Sequence, residues 1–216
     1  MNKILKDTMI LFAITLVAGI LLGGVYELTK TPIANQNEKA KQYAYRAVVS
    51  DADSFEELDG FNLSDGVTSV MSASGEDFSA DKITEVVAGV KDNKIVGLVV
   101  TVVASDGYGG DIKYSVGISS TGKYLGTSIL SISETAGLGM RAKTDPSFLN
   151  QFNDKTVDQF NLVKDGTGDS SDDKIDAISG STITSKAITK GINAALVVYK
   201  GVSSTNVKTV GGATIE

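Results

Sequence analysis

The segment Asp176-Ala177-Ile178-Ser179-Gly180-Ser181-Thr182-Ile183-Thr184-Ser185 gathers hydroxyl side chains around one glycine, just ahead of an apolar-periodic run. Such a place can serve an anion. The first N–H groups of a helix lack intrahelical acceptors, and the positive end of the helix favours negative charge, above all a phosphate. Gly180 would let the backbone come close to it. The same residue types also make an ordinary N-cap, which is their commoner use, and residue types alone leave both readings standing. A second segment, Ser133-Glu134-Thr135-Ala136-Gly137-Leu138-Gly139-Met140, follows a β-branched run. It reads as a turn presenting backbone N–H groups to a ligand edge, or as a strand-to-helix loop that needs positive φ. The third is Asp106-Gly107-Tyr108-Gly109-Gly110-Asp111. It is either a long hairpin loop or a tyrosine freed by its glycines to lie against a flat ring. None of the three is a Walker or Rossmann glycine pattern.

The missing residue types narrow the chemistry further. The chain has no Cys, no His and no Trp. That excludes disulfides, thiolate metal sites, a Cys nucleophile, a Ser-His-Asp triad and imidazole ligation. No metal site and no catalytic residue set is therefore expected. Carboxylates, hydroxyls or a bound cofactor must carry whatever chemistry there is. Lys plus Arg number 20 against 26 Asp plus Glu, a net charge of −6. A chain this acidic is poorly suited to a phosphate backbone, so no nucleic-acid partner is expected.

The elements that must position these segments can be read from periodicity. Ile83–Val90, Ile95–Val103, Ile112–Ser119 and Leu125–Ile132 are β-branched, and Lys91-Asp92-Asn93 and Ser120-Thr121-Gly122 supply turns between neighbours. An antiparallel meander follows. Short helices are expected over Met140–Gln159, an acidic loop over Gly166–Asp173, and an amphipathic helix over Thr184–Tyr199. The fold class is α+β, one twisted sheet with helices packed on it.

Ahead of this body, Thr8 to Tyr26 is a run of 19 residues without a charge. A helix of about 20 residues crosses a hydrocarbon core of roughly 30 Å. The run is read as an uncleaved, single-pass anchor over residues 1–30. Lys3 and Lys6 favour a cytoplasmic N-terminus and a body on the outer side. Thr31-Pro32 is expected to end the anchor helix, residues 31–50 to form a juxtamembrane helix or linker, and residues 51–216 to be the folded domain. Gly19 and Gly23 stand four apart, as in close-packed membrane helices.

Taken together, the three segments resemble a known family. Asp176 to Thr182 resembles the flavinylation signature D-x-x-S/T-G-A-T of FMN-binding domains. Glu134 to Gly139 resembles that family's E-T-P-G-L-G loop, and Gly107 to Gly110 its G-Y-G-G segment. The order of the segments and the leading membrane helix match as well, so the resemblance covers essentially the whole chain. It is to the G subunit of the Rnf electron-transport complex, in a family shared with the C subunit of the sodium-pumping NADH:quinone reductase, and the short length favours the former. Two positions depart from the pattern: Ser181 stands where the family usually has Ala, and Ala136 where it has Pro.

The resemblance implies an FMN joined through its phosphate to Thr182 by a dedicated flavin transferase. It implies that Ser179, Gly180, Ser181 and Thr184 cradle the phosphate. Glu134, Thr135, Gly137, Leu138 and Gly139, with Tyr108 and Gly109, would border the ring. The chain would then be an electron-relay subunit of an ion-translocating ferredoxin:NAD oxidoreductase, a flavoprotein working among other membrane and peripheral subunits rather than a complete enzyme. Two other readings are an anchored outer-face FMN carrier that stands alone, and a non-redox interaction domain in which 179–184 only caps a helix.

Overall fold

The computed structural model describes residues 3–59, 63–205 and 208–214. It divides into two compact units, residues 1–42 and 43–216.

The first unit is helix. α1 runs unbroken over Lys3–Val48. Its apolar stretch is exposed along its length, with Leu11 and Leu22 among many large side chains that no protein core covers. Thr8, Thr15 and Thr29 turn their hydroxyls back on the carbonyls of Ile4, Leu11 and Val25 at 2.8, 3.1 and 2.9 Å. That satisfies each hydroxyl within the helix, as a nonaqueous setting demands. The break expected at Thr31-Pro32 is absent: Pro32 sits inside α1. Proline removes one helix bond, and the strong helix formers after it (Glu38, Lys39, Ala40, Lys41) carry the helix onward.

The second unit contains β1 (Ser54–Asp59), α2 (Leu63–Ala73), β2 (Asp81–Lys91), β3 (Lys94–Ala104), β4 (Ile112–Ser119), β5 (Tyr124–Ser131), α3 (Arg141–Thr144), α4 (Ser147–Asn150), β6 (Asn161–Val163), β7 (Lys174–Asp176), α5 (Thr182–Ser203) and β8 (Lys208–Thr209). Six strands make one antiparallel sheet in the order β5-β4-β3-β2-β1-β8, while β6 and β7 pair in parallel apart from it. The expected meander is β2 to β5. The β2–β3 turn places Asp92 and Asn93 at φ 49° and 62°, the double positive φ of a tight hairpin turn.

Alternation along β3 divides the core. Leu98, Val100 and Val102 face one way and join Tyr114, Val116 and Ile118 under α5, whose Ile188, Ile192, Ala195 and Val198 complete the main core. Val99 faces the other way, and with Val87 it packs against Tyr45, Val48, Val49 and Ala52 from the end of α1 and the turn after it. That contact is close because the strands carry glycine there. A Cβ at Gly117 would strike the Val48 carbonyl, and one at Gly89 would come within 2.9 Å of the Ala52 Cβ. On the α5 side, Tyr114 Oη donates to Ile188 O at 3.0 Å and Tyr199 Oη to Ser120 O at 2.9 Å. Asn193 holds the backbone of Phe160 through both its amide atoms, at 2.8 and 2.9 Å. These bonds fix α5, and with it the segment at its mouth.

Candidate functional site

The mouth of α5 is built by a short staple. Ser185 Oγ donates to Ser181 O at 2.9 Å and accepts from the Ile178 N–H at 3.0 Å. The Ser181 N–H reaches Ile178 O at 2.9 Å, and Gly180 completes the turn at φ +78°. The helix ladder starts with the Ser185 N–H on Ser181 O at 3.0 Å. The N–H groups of Thr182, Ile183 and Thr184 therefore come before its first bond.

The cap bears on both readings of the sequence. Ser181 is the N-cap residue, at φ −136° and ψ 43°, yet no side chain caps the helix. Its hydroxyl is buried without a hydrogen-bond partner among the described residues. A plain Ser cap would turn that oxygen onto the N2 or N3 N–H. Here the helix start keeps its donors, and an orphan hydroxyl sits beside them. This is the donor set an anion needs.

The other two segments meet this one through glycines. Glu134 is buried, and its Oε1 has no hydrogen-bond partner among the described residues. A Cβ at Gly107 would lie 2.9 Å from Glu134 Oε1, and one at Gly109 would strike the Ser133 carbonyl. A Cβ at Gly139 would lie 2.7 Å from Glu134 Oε2 and 2.6 Å from Thr184 Oγ1. Gly180 faces Leu138, whose Cδ2 is 3.2 Å from where a Cβ would stand. The three glycine-rich segments, far apart in the chain, thus share one locus centred on Glu134.

The loop over 135–140 is tight: Thr135 O accepts from both the Leu138 and Met140 N–H groups at 3.1 Å, with Gly137 at φ +76°. Ala136 forms this turn without the proline ring. Tyr108, Leu138 and Ile183 are exposed there at 70, 44 and 52%. Beyond the stem helix, Val210 is the one other large apolar side chain so exposed among the described residues of the second unit. Ser179 and Gly180 are exposed, Thr182 is half-buried, and Ser181 and Thr184 are buried. Of the hydroxyls at 181, 182 and 184, the one at 182 is the most accessible.

Two residues without any sequence signal hold the approach to this mouth. Gln151 accepts the Asp176 N–H at 2.7 Å and donates to Asp176 O at 3.1 Å, pinning the residue that begins the segment. Asp176 Oδ2 in turn accepts the Gly168 N–H at 3.1 Å and ties down the acidic loop. Arg141 lines a small cavity shared with Gln151, Asp176 and Ser179. It pairs with Asp145 at 3.2 Å. The Asp145 carboxyl is held below its usual range by Ser147 first and by Arg141 after it. A lone Gln or Arg in an irregular stretch has no periodicity to mark it.

A helix start with free donors thus adjoins three glycine-rich segments and the exposed apolar side chains of Tyr108, Leu138 and Ile183. Residues 107–197 match the family model of the FMN-binding domain, and residues 1–48 that of the RnfG N-terminal region. The chain is 35% identical over 198 residues to the G subunit of the proton-translocating ferredoxin:NAD(+) oxidoreductase complex of Clostridium ljungdahlii, covering 88% of this chain and 92% of that one. It is 32% identical over 200 residues to the G subunit of the Na(+)-translocating complex of Acetobacterium woodii, covering 93% of each. The crystal structure of Shewanella oneidensis NqrC aligns over 56% of this chain and 61% of its own, with 21% identity and a TM-score of 0.48. The chain belongs to the RnfG family.

Proposed function

We propose that this chain is the flavin-bearing electron-relay subunit of a membrane-bound, ion-translocating ferredoxin:NAD(+) oxidoreductase, with FMN esterified through its phosphate to Thr182. The observation that carries the reading is the uncapped start of α5. Thr182 is its first residue, half-exposed, between the glycine turn and the free N–H groups. A phosphodiester there keeps one negative charge, worth about 0.3–1 kcal/mol at a helix N-terminus. The residues present fit the group. Ser179, Gly180, Ser181 and Thr184 would hold the phosphate, and the 134–139 loop with Tyr108 and Gly109 would border the ring. The flavin supplies the electron-accepting chemistry, which the protein's own side chains lack. Those side chains bind, orient and exclude water.

The apolar stretch of α1 anchors the subunit in the cell membrane as one span, with the N-terminus cytoplasmic and residues 51–216 as the FMN-binding domain on the outer face. A flavin transferase loads it, and the other subunits of the complex pass electrons to and from it. An ester bond retains a cofactor that would otherwise be lost to dilute surroundings.

Intact mass and peptide mapping of the chain, produced in membranes together with a flavin transferase, test this. FMN less one water on the Thr182 peptide, absent in Thr182→Ala, is the expected result. An unmodified mass and no yellow colour, with the transferase active on a control, overturn it.

A further inference from the structure

A second set of orphaned polar atoms lies at the sheet end where β2 begins and β3 stops. Register pairs Asp81 with Ala104, which brings Asp106 to the same end. α5 lays Thr189 and Lys190 over it. The Asp81 side chain is fully buried, and neither of its oxygens has a hydrogen-bond partner among the described residues. Lys190 Nζ stands 3.7 Å from Oδ2, an ion-pair distance outside hydrogen-bond reach. Asp106 Oδ1 and Thr189 Oγ1 are likewise buried without partners.

The groups that face Asp81 come from every element around it: Lys190 from α5, Asp106 from the loop after β3, Asp77 from the turn before β2, and Tyr114 from β4. Glu76 and Lys82 line the hollow that Asp81 borders. The Tyr114 hydroxyl already donates its hydrogen bond to Ile188 O. A cavity of ≈ 390 Å³ opens beside Asp106, Thr189 and Lys190.

Buried acceptors without donors are costly, and a metal ion, a protein donor, a water molecule or a proton can answer them. The described residues contain no cluster of three carboxylates able to hold a metal, and Lys190 already supplies the local positive charge. Lys190 Nζ approaches Oδ2 only to 3.7 Å and leaves Oδ1 without a hydrogen-bond donor among the described residues. A proton on Asp81 makes the carboxyl a donor, and water in the hollow that Asp81 itself lines can deliver it.

The cluster is also wired to the first site. Gly107 follows Asp106 directly, and it is a position where an added Cβ would lie 2.9 Å from Glu134 Oε1. One short piece of backbone therefore carries a carboxylate of the buried cluster and passes close to the carboxylate at the centre of the three glycine-rich segments.

We propose that Asp81, with Asp106, Thr189 and Lys190 around it, is a proton-binding site that answers added charge at the flavin segment; this rests on the flavin reading above. One electron reaches the site from a one-electron donor. One proton from bulk water enters through the hollow that Asp81 lines and forms an O–H bond on an Asp81 carboxylate oxygen. No other bond changes, and the net charge of the domain is restored. In the resting protein, burial pushes the Asp81 carboxyl up to about 7, with Lys190 opposing and Asp106 adding to the rise. Its occupancy at neutral pH is thus poised where a small change in nearby charge moves it most.

The test uses the full-length, flavin-loaded chain in detergent, reduced with methyl viologen radical (an electron donor that brings no proton) while an indicator dye counts proton uptake. Wild type is expected to take up more protons per electron than Asp81→Asn, with the excess greatest near about pH 7 and gone by about pH 5, where Asp81 is already protonated. Lys190→Gln, which removes the opposing charge, should move that window to higher pH. It keeps the proposal open to refutation if Asp81→Asn does not fold, and a purely structural role for Asp81 would not move the window. Asp158→Asn, at an exposed ion pair, should change nothing. Equal proton counts in flavin-loaded wild type and Asp81→Asn, or an unmoved window in Lys190→Gln, overturn the proton site. A chain that carries no flavin colour overturns the flavin reading instead, before any proton is counted.

Discussion

Two places in this domain leave polar groups unpaired, and they do so with opposite sign. The mouth of α5 has donors in excess: backbone N–H groups at 182–184 and the orphan hydroxyl of Ser181. The chamber under the same helix has acceptors in excess: both oxygens of Asp81 and one of Asp106. The first is open to solvent at Ser179 and Gly180, while the Asp81 side chain is closed. An open surplus of donors suits an anion brought from outside. A buried surplus of acceptors suits a proton, which the water of the adjoining hollow can supply. The two places differ in the missing half of the hydrogen bond, and that half sets the kind of ligand each would take.

The largest effect should come from removing the acceptor hydroxyl at the open site. Thr182→Ala is expected to abolish the covalent flavin outright, while Thr182→Ser keeps some, as read by in-gel flavin fluorescence. Retention of label in Thr182→Ala would move the attachment to Ser181 or Thr184 and weaken the argument from accessibility.

Next comes the link between the glycine-rich segments. Gly139→Ala places a methyl against Glu134 and Thr184 Oγ1. We expect a loss of about 1–3 kcal/mol of stability, as for other overpacked sites, with flavin loading reduced. Thermal unfolding with loading measured in parallel checks both.

The closed site sharpens the comparison through pH. The folded pKa of Asp81 is about 7 against 3.8 for the ordinary group. Between these values the folded state holds a proton that the unfolded state has lost, so stability falls as pH rises. The contribution is complete below the unfolded value and gone once pH passes the folded one. Asp81→Asn has no such step. Relative to wild type it should gain about 2 kcal/mol between pH 5 and pH 8, by denaturant unfolding. A flat difference would mean that Asp81 is charged throughout.

The smallest effect should be at Lys200 and Asp158, an ion pair whose carboxylate is almost fully exposed. Lys200→Ala is expected to leave the thermal unfolding midpoint essentially unchanged, the more so in high salt.

How legible each site was in the sequence follows the same division. The open site is made of three short contiguous segments, each with glycines at fixed offsets, and local pattern marks such segments. The meander and the Asp92-Asn93 turn were legible for the same reason, since period-2 alternation and turn chemistry act over a few residues. The closed site was not. Asp81, Asp106 and Lys190 are single charged residues spread over more than a hundred positions, and only strand register and the lie of α5 bring them together. Gln151 is silent in the same way. The helix break expected at Pro32 failed because a proline removes one bond but does not forbid a helix already favoured on both sides. The paired strands β6 and β7, three residues each, are too short for periodicity to show.

The seating of the end of α1 on the sheet bears on how the domain can be handled outside a membrane. A shortened chain beginning at residue 51 looks natural, since it starts just past the long helix. It would discard Tyr45, Val48 and Val49, and it would strip the cover from Val87, Val99 and the bare glycine backbone beneath. The product would carry a new greasy face and should self-associate. A cut upstream of Tyr43 removes the apolar stem yet leaves that cover in place, so eight residues decide whether the preparation stays clear.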